Sequence, residues 1–120
     1  PICQTHQVTR VELDVLLFLY NNPGYDTARD IVELRGLAKS YVSKAVELLR
    51  SKGLLEAQED FQDRRVFHLC ILPAADTLVL QAKRAQEDFF SLLFQDIPAR
   101  DRETLRRVLR KISDNLQEAL

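Results

Sequence analysis

The chain lacks the features that mark several common classes of protein. Its 120 residues include two cysteines, three glycines and no methionine or tryptophan. Two cysteines make no disulfide framework, which suits a reducing cytoplasm. No apolar run reaches the roughly 18 residues of a membrane span, and no basic-then-apolar signal peptide opens the chain. We therefore expect one cytoplasmic domain, and the missing methionine predicts a processed or trimmed start.

Charge is also nearly absent as a global signal, because the net charge is −1. Such a balance gives no general attraction to nucleic acid, so any DNA contact must come from local clustering. One cluster exists between Gly36 and Gly53, where four basic residues stand against one acid for a local balance of +3. The four bases are Lys39, Lys44, Arg50 and Lys52, and the acid is Glu47.

Helix signals cover most of the chain. Thr9 with Glu12, and Thr27 with Asp30, stand at the spacing of an N-terminal capping box and predict two helices, the first over 9–20. Gly36 closes the second, and a third helix is expected from about Lys39 to Lys52. A fourth is expected from Pro73 to about Gln95, with a stripe formed by Leu78, Val79, Ala82, Phe89, Phe90 and Leu93. The last helix carries apolar residues three or four apart, namely Leu105, Val108, Leu109, Ile112, Leu116 and Leu120.

Two short stretches, "LLEAQE" and "RVFHLCIL", predict the strands of a β-hairpin. In the second, Phe67, Leu69 and Ile71 should share one face and Val66, His68 and Cys70 the other. The fold class is therefore mainly α with a small β-hairpin. Helix, turn, helix and then a hairpin bearing basic residues is a winged helix-turn-helix layout, in which the hairpin is the wing.

The third predicted helix has two distinct faces. At 100° per residue its apolar residues fall together, and these are Val42, Ala45, Val46 and Leu49. The opposite face is polar and holds Ser40, Lys44, Glu47 and Ser51, flanked by Tyr41 and Ser43. An ordinary amphipathic helix with a solvated face would look the same. In a winged layout, however, this helix is the one that meets base edges and phosphates.

The chain from about Val8 to the C-terminus resembles the MarR family of bacterial transcriptional regulators, and the resemblance is densest from Asp26 to Leu72. "TARDIVELRGLAKSYVSKAVELLRSKGLLE" is similar to the family's helix-turn-helix with its closing Lys-Gly-Leu, and "DRRVFHLCIL" is similar to its wing. The Asp-x-Arg of the family wing falls on Asp63 and Arg65, with Arg64 between them. The glycine-leucine closure alone would be weak evidence for the family, but the Asp-Arg-Arg motif ten residues later makes the resemblance specific.

The resemblance implies a homodimer that reads a palindromic operator and responds to a small aromatic or anionic effector. From the motifs and ligand spacings of the sequence, we expect no cofactor, no metal and no enzymatic activity. It implies that 1–72 is the DNA-binding region and 73–120 the helical dimerisation region. The expected DNA-contacting residues are Lys39, Ser40, Tyr41, Ser43, Lys44, Asp63, Arg64 and Arg65. The expected dimerisation residues are Leu105, Val108, Leu109, Ile112 and Leu116.

The chain departs from the family pattern in three places. The family's first helix has no counterpart, Ala38 stands where the third helix would take a side-chain cap, and the segment after the second strand reads Leu72, Pro73 and Asp76. The wing is also acidic, with four acids against Arg64 and Arg65. Unpaired acids near phosphates would cost affinity, so we expect Asp63 to pair with an arginine and the other acids to point away from the DNA.

Other functions fit the residues less well. Cys3, His6, His68 and Cys70 suggest a zinc set, but nothing in the sequence brings the two pairs together. Cys3 as a redox sensor lacks the family's spacing, and Cys70 is expected to pack as a small hydrophobe. Neither histidine has an evident carboxylate or cysteine partner, and no nucleophile elbow or phosphate loop is present. The remaining alternative is a winged-helix module for protein–protein assembly, which the near-zero net charge favours.

Overall fold

The computed structural model describes residues 7–119, which form five α-helices and one antiparallel β-hairpin. In chain order these elements are α1 (Arg10–Asn21), α2 (Ala28–Arg35), α3 (Lys39–Ser51), β1 (Leu55–Glu59), β2 (Phe67–Ile71), α4 (Asp76–Leu93) and α5 (Ala99–Ala119). A 3₁₀ turn, Pro73–Ala75, precedes α4. The predicted mainly helical fold with a hairpin wing is thus confirmed. Cys3, His6 and Leu120 lie outside the described residues. The zinc set that the sequence analysis judged a poor fit therefore has only His68 and Cys70 among the described residues.

The helix ends follow from local side-chain chemistry. Thr9 Oγ1 accepts the Glu12 N–H at 3.2 Å, and Glu12 Oε1 accepts the Thr9 N–H at 3.2 Å. Thr27 and Asp30 form the same reciprocal box at the start of α2. Such boxes satisfy two backbone donors that a helix N-terminus leaves free. Gly36 ends α2 at φ +73°, in the left-handed region that favours glycine.

One compact unit extends to Ala85 and contains the hydrophobic core. The core is built from one face of each helix of the unit and from the inner side of the hairpin. Its fully buried members include Val15, Leu16, Ile31, Val42, Leu49, Leu55 and Leu78. Each buried leucine or isoleucine stabilises the fold by about 1.5–3 kcal/mol relative to exposure. This core fixes the orientation of α3 and the hairpin within the unit.

The hairpin pairs residue by residue, from Leu55 opposite Ile71 to Glu59 opposite Phe67. Leu69 is buried on its inner face, whereas Phe67 remains 49% exposed. The Leu69 N–H also donates to the Asp26 carbonyl at 2.7 Å. The chain just before α2 therefore adds a backbone contact to the outer edge of β2, because β1 covers the other edge.

The second unit begins at Gln86 and comprises the end of α4 and all of α5. Phe89 and Phe90 make an edge-to-face contact at 6.2 Å, and Phe90 stacks on Phe94 at 6.3 Å. None of the described residues of α5 is buried. The predicted apolar stripe of α5 is 45–59% exposed at its five positions in the single chain.

Candidate nucleic-acid interface

The outer face of α3 presents a row of polar side chains. Val42, Ala45 and Leu49 are buried beneath it, as the helical spacing predicts. The sequence-predicted contact residues Lys39, Ser40, Tyr41, Ser43 and Lys44 are all exposed. Ala38 gives α3 no side-chain cap, which leaves the first-turn N–H groups of the helix without a side-chain acceptor. Unsatisfied N–H groups at a helix N-terminus, together with the helix dipole, suit an anion such as a phosphate.

The basic charge of the α3 region is smaller than the sequence indicates, because Lys52 has a partner. Its Nζ lies 2.7 Å from Glu12 Oε2 and donates to the Gln7 carbonyl at 2.9 Å. Glu12 is completely buried. Burial would raise the pKa of Glu12, but the hydrogen bonds from Lys52 and Thr9 outweigh it and hold the pKa below its usual value. Lys52 therefore fixes the end of α3 against the start of α1, and Lys39, Lys44 and Arg50 carry the remaining positive charge.

The wing loop presents an arginine held by an aspartate. Arg65 Nε lies 3.1 Å from Asp63 Oδ1, and Arg65 Nη2 lies 3.3 Å from Asp63 Oδ2, a bidentate arrangement. Asp63 Oδ1 also accepts the Arg65 backbone N–H. The side-chain and backbone hydrogen bonds from Arg65 lower the pKa of Asp63. The expected pair is present, and the Arg65 side chain is still 90% exposed.

A second aspartate shapes the same loop. Asp60 Oδ2 accepts the backbone N–H groups of Gln62 and Asp63, both at 2.9 Å. The Asp60 N–H donates to the Val66 carbonyl at 2.8 Å, which closes the loop. Asp60 is therefore held within the wing loop, and its orientation relative to DNA stays a prediction. Its charge is used within the loop that carries Arg65.

His68 has two carboxylate partners that the sequence did not predict. Its Nδ1 lies 2.7 Å from Asp26 Oδ1 and its Nε2 lies 2.6 Å from Asp60 Oδ1. The hydrogen bonds to Asp60 and then Asp26 raise the pKa of His68 to about 8. The hydrogen bond from His68, together with the two backbone N–H groups, lowers the pKa of Asp60 to about 2. No local signal predicts this cluster, because Asp26 is separated from His68 by 42 positions in the chain.

The family model that describes MarR proteins matches residues 6–66. This stretch includes α1, α2, α3, β1 and the wing loop with Asp63 and Arg65. The match spans half of the chain. The chain belongs to the MarR family.

Solved structures of MarR-type regulators share this fold. The transcriptional regulator PA3341 is 23% identical, with a TM-score of 0.83 over 92% of this chain and 80% of its own. BpsR of Bordetella bronchiseptica, whose DNA binding is regulated by 6-hydroxynicotinic acid, is 23% identical, with a TM-score of 0.69 over 93% and 92%. The Staphylococcus aureus MepR–DNA complex is 19% identical, with a TM-score of 0.77 over 94% and 83%. No curated protein matches the chain.

The MarR fold sorts the sequence-predicted residues into three groups. Five lie on the exposed face of α3. Asp63, Arg64 and Arg65 lie in the wing loop between β1 and β2, where Asp63 and Arg65 are joined and Arg64 is exposed. The five predicted dimerisation residues lie on α5. No helix among residues 7–119 is long and apolar enough to cross a membrane.

Proposed function

We propose that this MarR-family protein is a transcriptional regulator that binds duplex DNA sequence-specifically. The observation that carries the proposal is the bidentate Asp63–Arg65 pair in an exposed wing loop. A carboxylate that only steadied a hairpin would gain little from holding an arginine in solvent. An arginine held in one orientation is suited to a narrow minor groove, where the negative potential is strongest.

The exposed face of α3 supplies the second contact. Serine hydroxyls donate to or accept from base edges and phosphates, and lysine reaches the acceptors of guanine in the major groove. We assign base contacts to the exposed residues Ser40, Tyr41, Ser43 and Lys44, and a phosphate contact to Lys39 in the first turn. This division follows the general rule that phosphate contacts position a protein while base contacts specify the sequence.

We further propose a homodimer that uses the apolar face of α5. Leu105, Val108, Leu109, Ile112 and Leu116 recur at helical spacing and are about half exposed in the single chain. A stripe of this kind is characteristic of a helix that packs against another helix. A two-fold dimer would present two α3 helices and read a palindromic operator. Because the related fold of BpsR responds to 6-hydroxynicotinic acid, a small aromatic anion is the effector class that we propose.

Fluorescence anisotropy over a salt series tests DNA binding. The probe is a labelled duplex from the region upstream of the protein's own gene, with a scrambled duplex as control. We expect tighter binding to the native duplex and a steep loss of affinity as salt rises, because phosphate contacts release counterions. A winged-helix module for protein assembly, which the net charge of −1 favours, would bind neither duplex measurably.

A further inference from the structure

One histidine links the wing loop to the segment that precedes α2. His68 projects from β2 and contacts Asp26, which stands just before α2, and Asp60, which begins the wing loop. Both contacts are shorter than 2.8 Å, at 2.7 Å and 2.6 Å. The ring thereby joins two segments of the chain that are separated by more than thirty residues in sequence.

The chemistry of imidazole decides what state this contact requires. A neutral ring carries one N–H and one bare nitrogen, so it can donate to only one of two carboxylates. The imidazolium carries an N–H on both nitrogens and donates to both. A ring that lies within hydrogen-bond distance of two carboxylates is therefore satisfied on both sides only when it is charged. Deprotonation leaves a lone pair facing a carboxylate oxygen.

A series of hydrogen bonds connects His68 to Arg65 through Asp60 and Asp63. Asp60 accepts His68 on one oxygen and the N–H of Asp63 on the other. Asp63 in turn holds the guanidinium of Arg65. Each link is a hydrogen bond to a charged group, which is stronger than a neutral one. The state of the ring thus bears on the orientation of the arginine at the opposite end of the chain of contacts.

The other groups around the ring do not replace its charge. Gln58 stands opposite His68 across the hairpin and is neutral. Glu56 and Cys70 form the adjacent pair on the same face and add no positive charge. From the neighbouring helix, Asp30 is engaged at the cap of α2 by Thr27.

We propose that His68 is a positioning residue for DNA recognition, and that its protonated ring holds the wing in the orientation in which Arg65 meets DNA. The inference rests on the proposed function, because it names a regulation of the same interface. The protonated ring is held by the carboxylates of Asp26 and Asp60. Alkaline pH removes the proton and weakens both contacts.

The direction of the pH effect follows from the raised pKa of His68, about 8 against an ordinary 6.5. A group whose pKa is higher in the folded state contributes its stabilisation fully below the ordinary value and loses it as the pH rises through the folded value. The stabilisation from the contacts of protonated His68 with Asp26 and Asp60 is therefore complete below about pH 6.5 and is lost as the pH rises through about 8. DNA affinity should fall over the same range.

Anisotropy titrations from pH 6 to pH 9 test the proposal, with wild type beside His68→Gln. The glutamine amide can donate to a carboxylate but carries no ionisable proton, and the variant retains every other ionisable residue of the chain, so it is the control for them. We expect wild type to lose at least about fivefold in affinity, the lower end of ordinary coupling between two sites, while His68→Gln changes much less. An equal pH dependence in both proteins overturns the inference while leaving DNA binding intact.

Histidine NMR supplies the second arm. In the free protein the His68 ring should titrate near pH 8, the amides of Asp63 and Arg65 should shift with the same midpoint, and Asp26→Asn should lower that midpoint. Because coupling is reciprocal, a fivefold effect on DNA affinity requires DNA to raise the His68 midpoint by about 0.7 unit. A midpoint unmoved by DNA overturns the inference. Absence of DNA binding at every pH overturns the proposed function, and this inference with it.

Discussion

The two compact units of the chain share the helical spacing of apolar residues but differ in how far those residues are buried. In the unit up to Ala85, the apolar faces of α1, α2 and α3 meet one another and the hairpin in a common core. In the unit from Gln86, the apolar stripe of α5 is half exposed along its length. Helical periodicity predicts that an apolar face will be buried, but it does not identify the element or chain that buries it. The first face is covered by the chain itself, whereas for the second we propose a second copy of the chain.

The largest effect should come from placing a charge on the α5 stripe. Leu109→Asp removes a leucine worth about 1.5–3 kcal/mol from each protomer and would bury a carboxylate in each. We expect the dimer to dissociate, with any loss of stability dependent on protein concentration. Sedimentation equilibrium at micromolar concentration measures the change.

Gln117→Glu is the matched control for this experiment. It adds the same single negative charge to α5 on the face away from the stripe, at about 80° from Leu109 and about 120° from Leu105 by helical geometry. The control should remain dimeric. A wild-type protein that sediments as a monomer would contradict the proposed role of α5.

The next largest effect concerns the ion pair between Lys52 and Glu12 in the first unit. Lys52→Met leaves the buried carboxylate of Glu12 without its partner. Breaking a fully buried pair costs about 3–5 kcal/mol, and because the Lys52 side chain is 34% exposed, we expect a loss below that range. Without Lys52, only the hydrogen bonds with Thr9 still oppose the rise that burial causes in the pKa of Glu12, so the loss should be smaller at pH 5 than at pH 7.5. Urea denaturation at both pH values gives the free energy of unfolding.

The comparison is sharpened by the exposed pair Arg29–Glu33, which has a similar distance of 2.9 Å. Arg29→Met should leave the free energy of unfolding nearly unchanged, because solvent and salt screen an exposed pair. Equal losses in the two variants would show that the position of Glu12 in the core contributes nothing special.

A smaller effect, confined to DNA, is expected on the outer face of α3. Lys44→Ala should weaken specific binding by about five- to hundredfold, the range for one base contact. The melting temperature should be nearly unchanged, because Lys44 lies opposite the buried face. Lys111→Ala removes the same charge from α5 and serves as the control. Unaltered affinity of Lys44→Ala for the operator would remove this face from the DNA interface.

The parts of the structure that the sequence predicted are those fixed by near neighbours. The capping boxes at Thr9 and Thr27 involve residues three apart, and the Asp63–Arg65 pair involves residues two apart. Local geometry is enough to specify such contacts. The buried face of α3 was likewise predicted, because its helical period is a local property.

The contacts that escaped prediction join distant parts of the chain. Lys52 was counted among the free bases of the α3 region, yet its partner lies 40 residues away in α1. His68 was assigned no partner, although the fold brings Asp26 and Asp60 to its two nitrogens. In both cases the tertiary fold decides which charges remain for a ligand. Because Lys52 is paired with Glu12, composition overstated the free positive charge of the α3 region.

The central claim is that Asp63 anchors Arg65 for DNA, and the affinity of Asp63→Ala tests it most directly. The variant removes a negative charge beside DNA, so charge counting alone requires tighter binding. Our account requires weaker binding, because Arg65 loses both carboxylate contacts, and Arg65→Ala should weaken binding in parallel and reduce the salt slope by about one. Glu59→Ala, which removes the same charge from an exposed wing position, should bind as well as wild type or better. Asp63→Ala binding DNA more tightly than wild type would contradict the account.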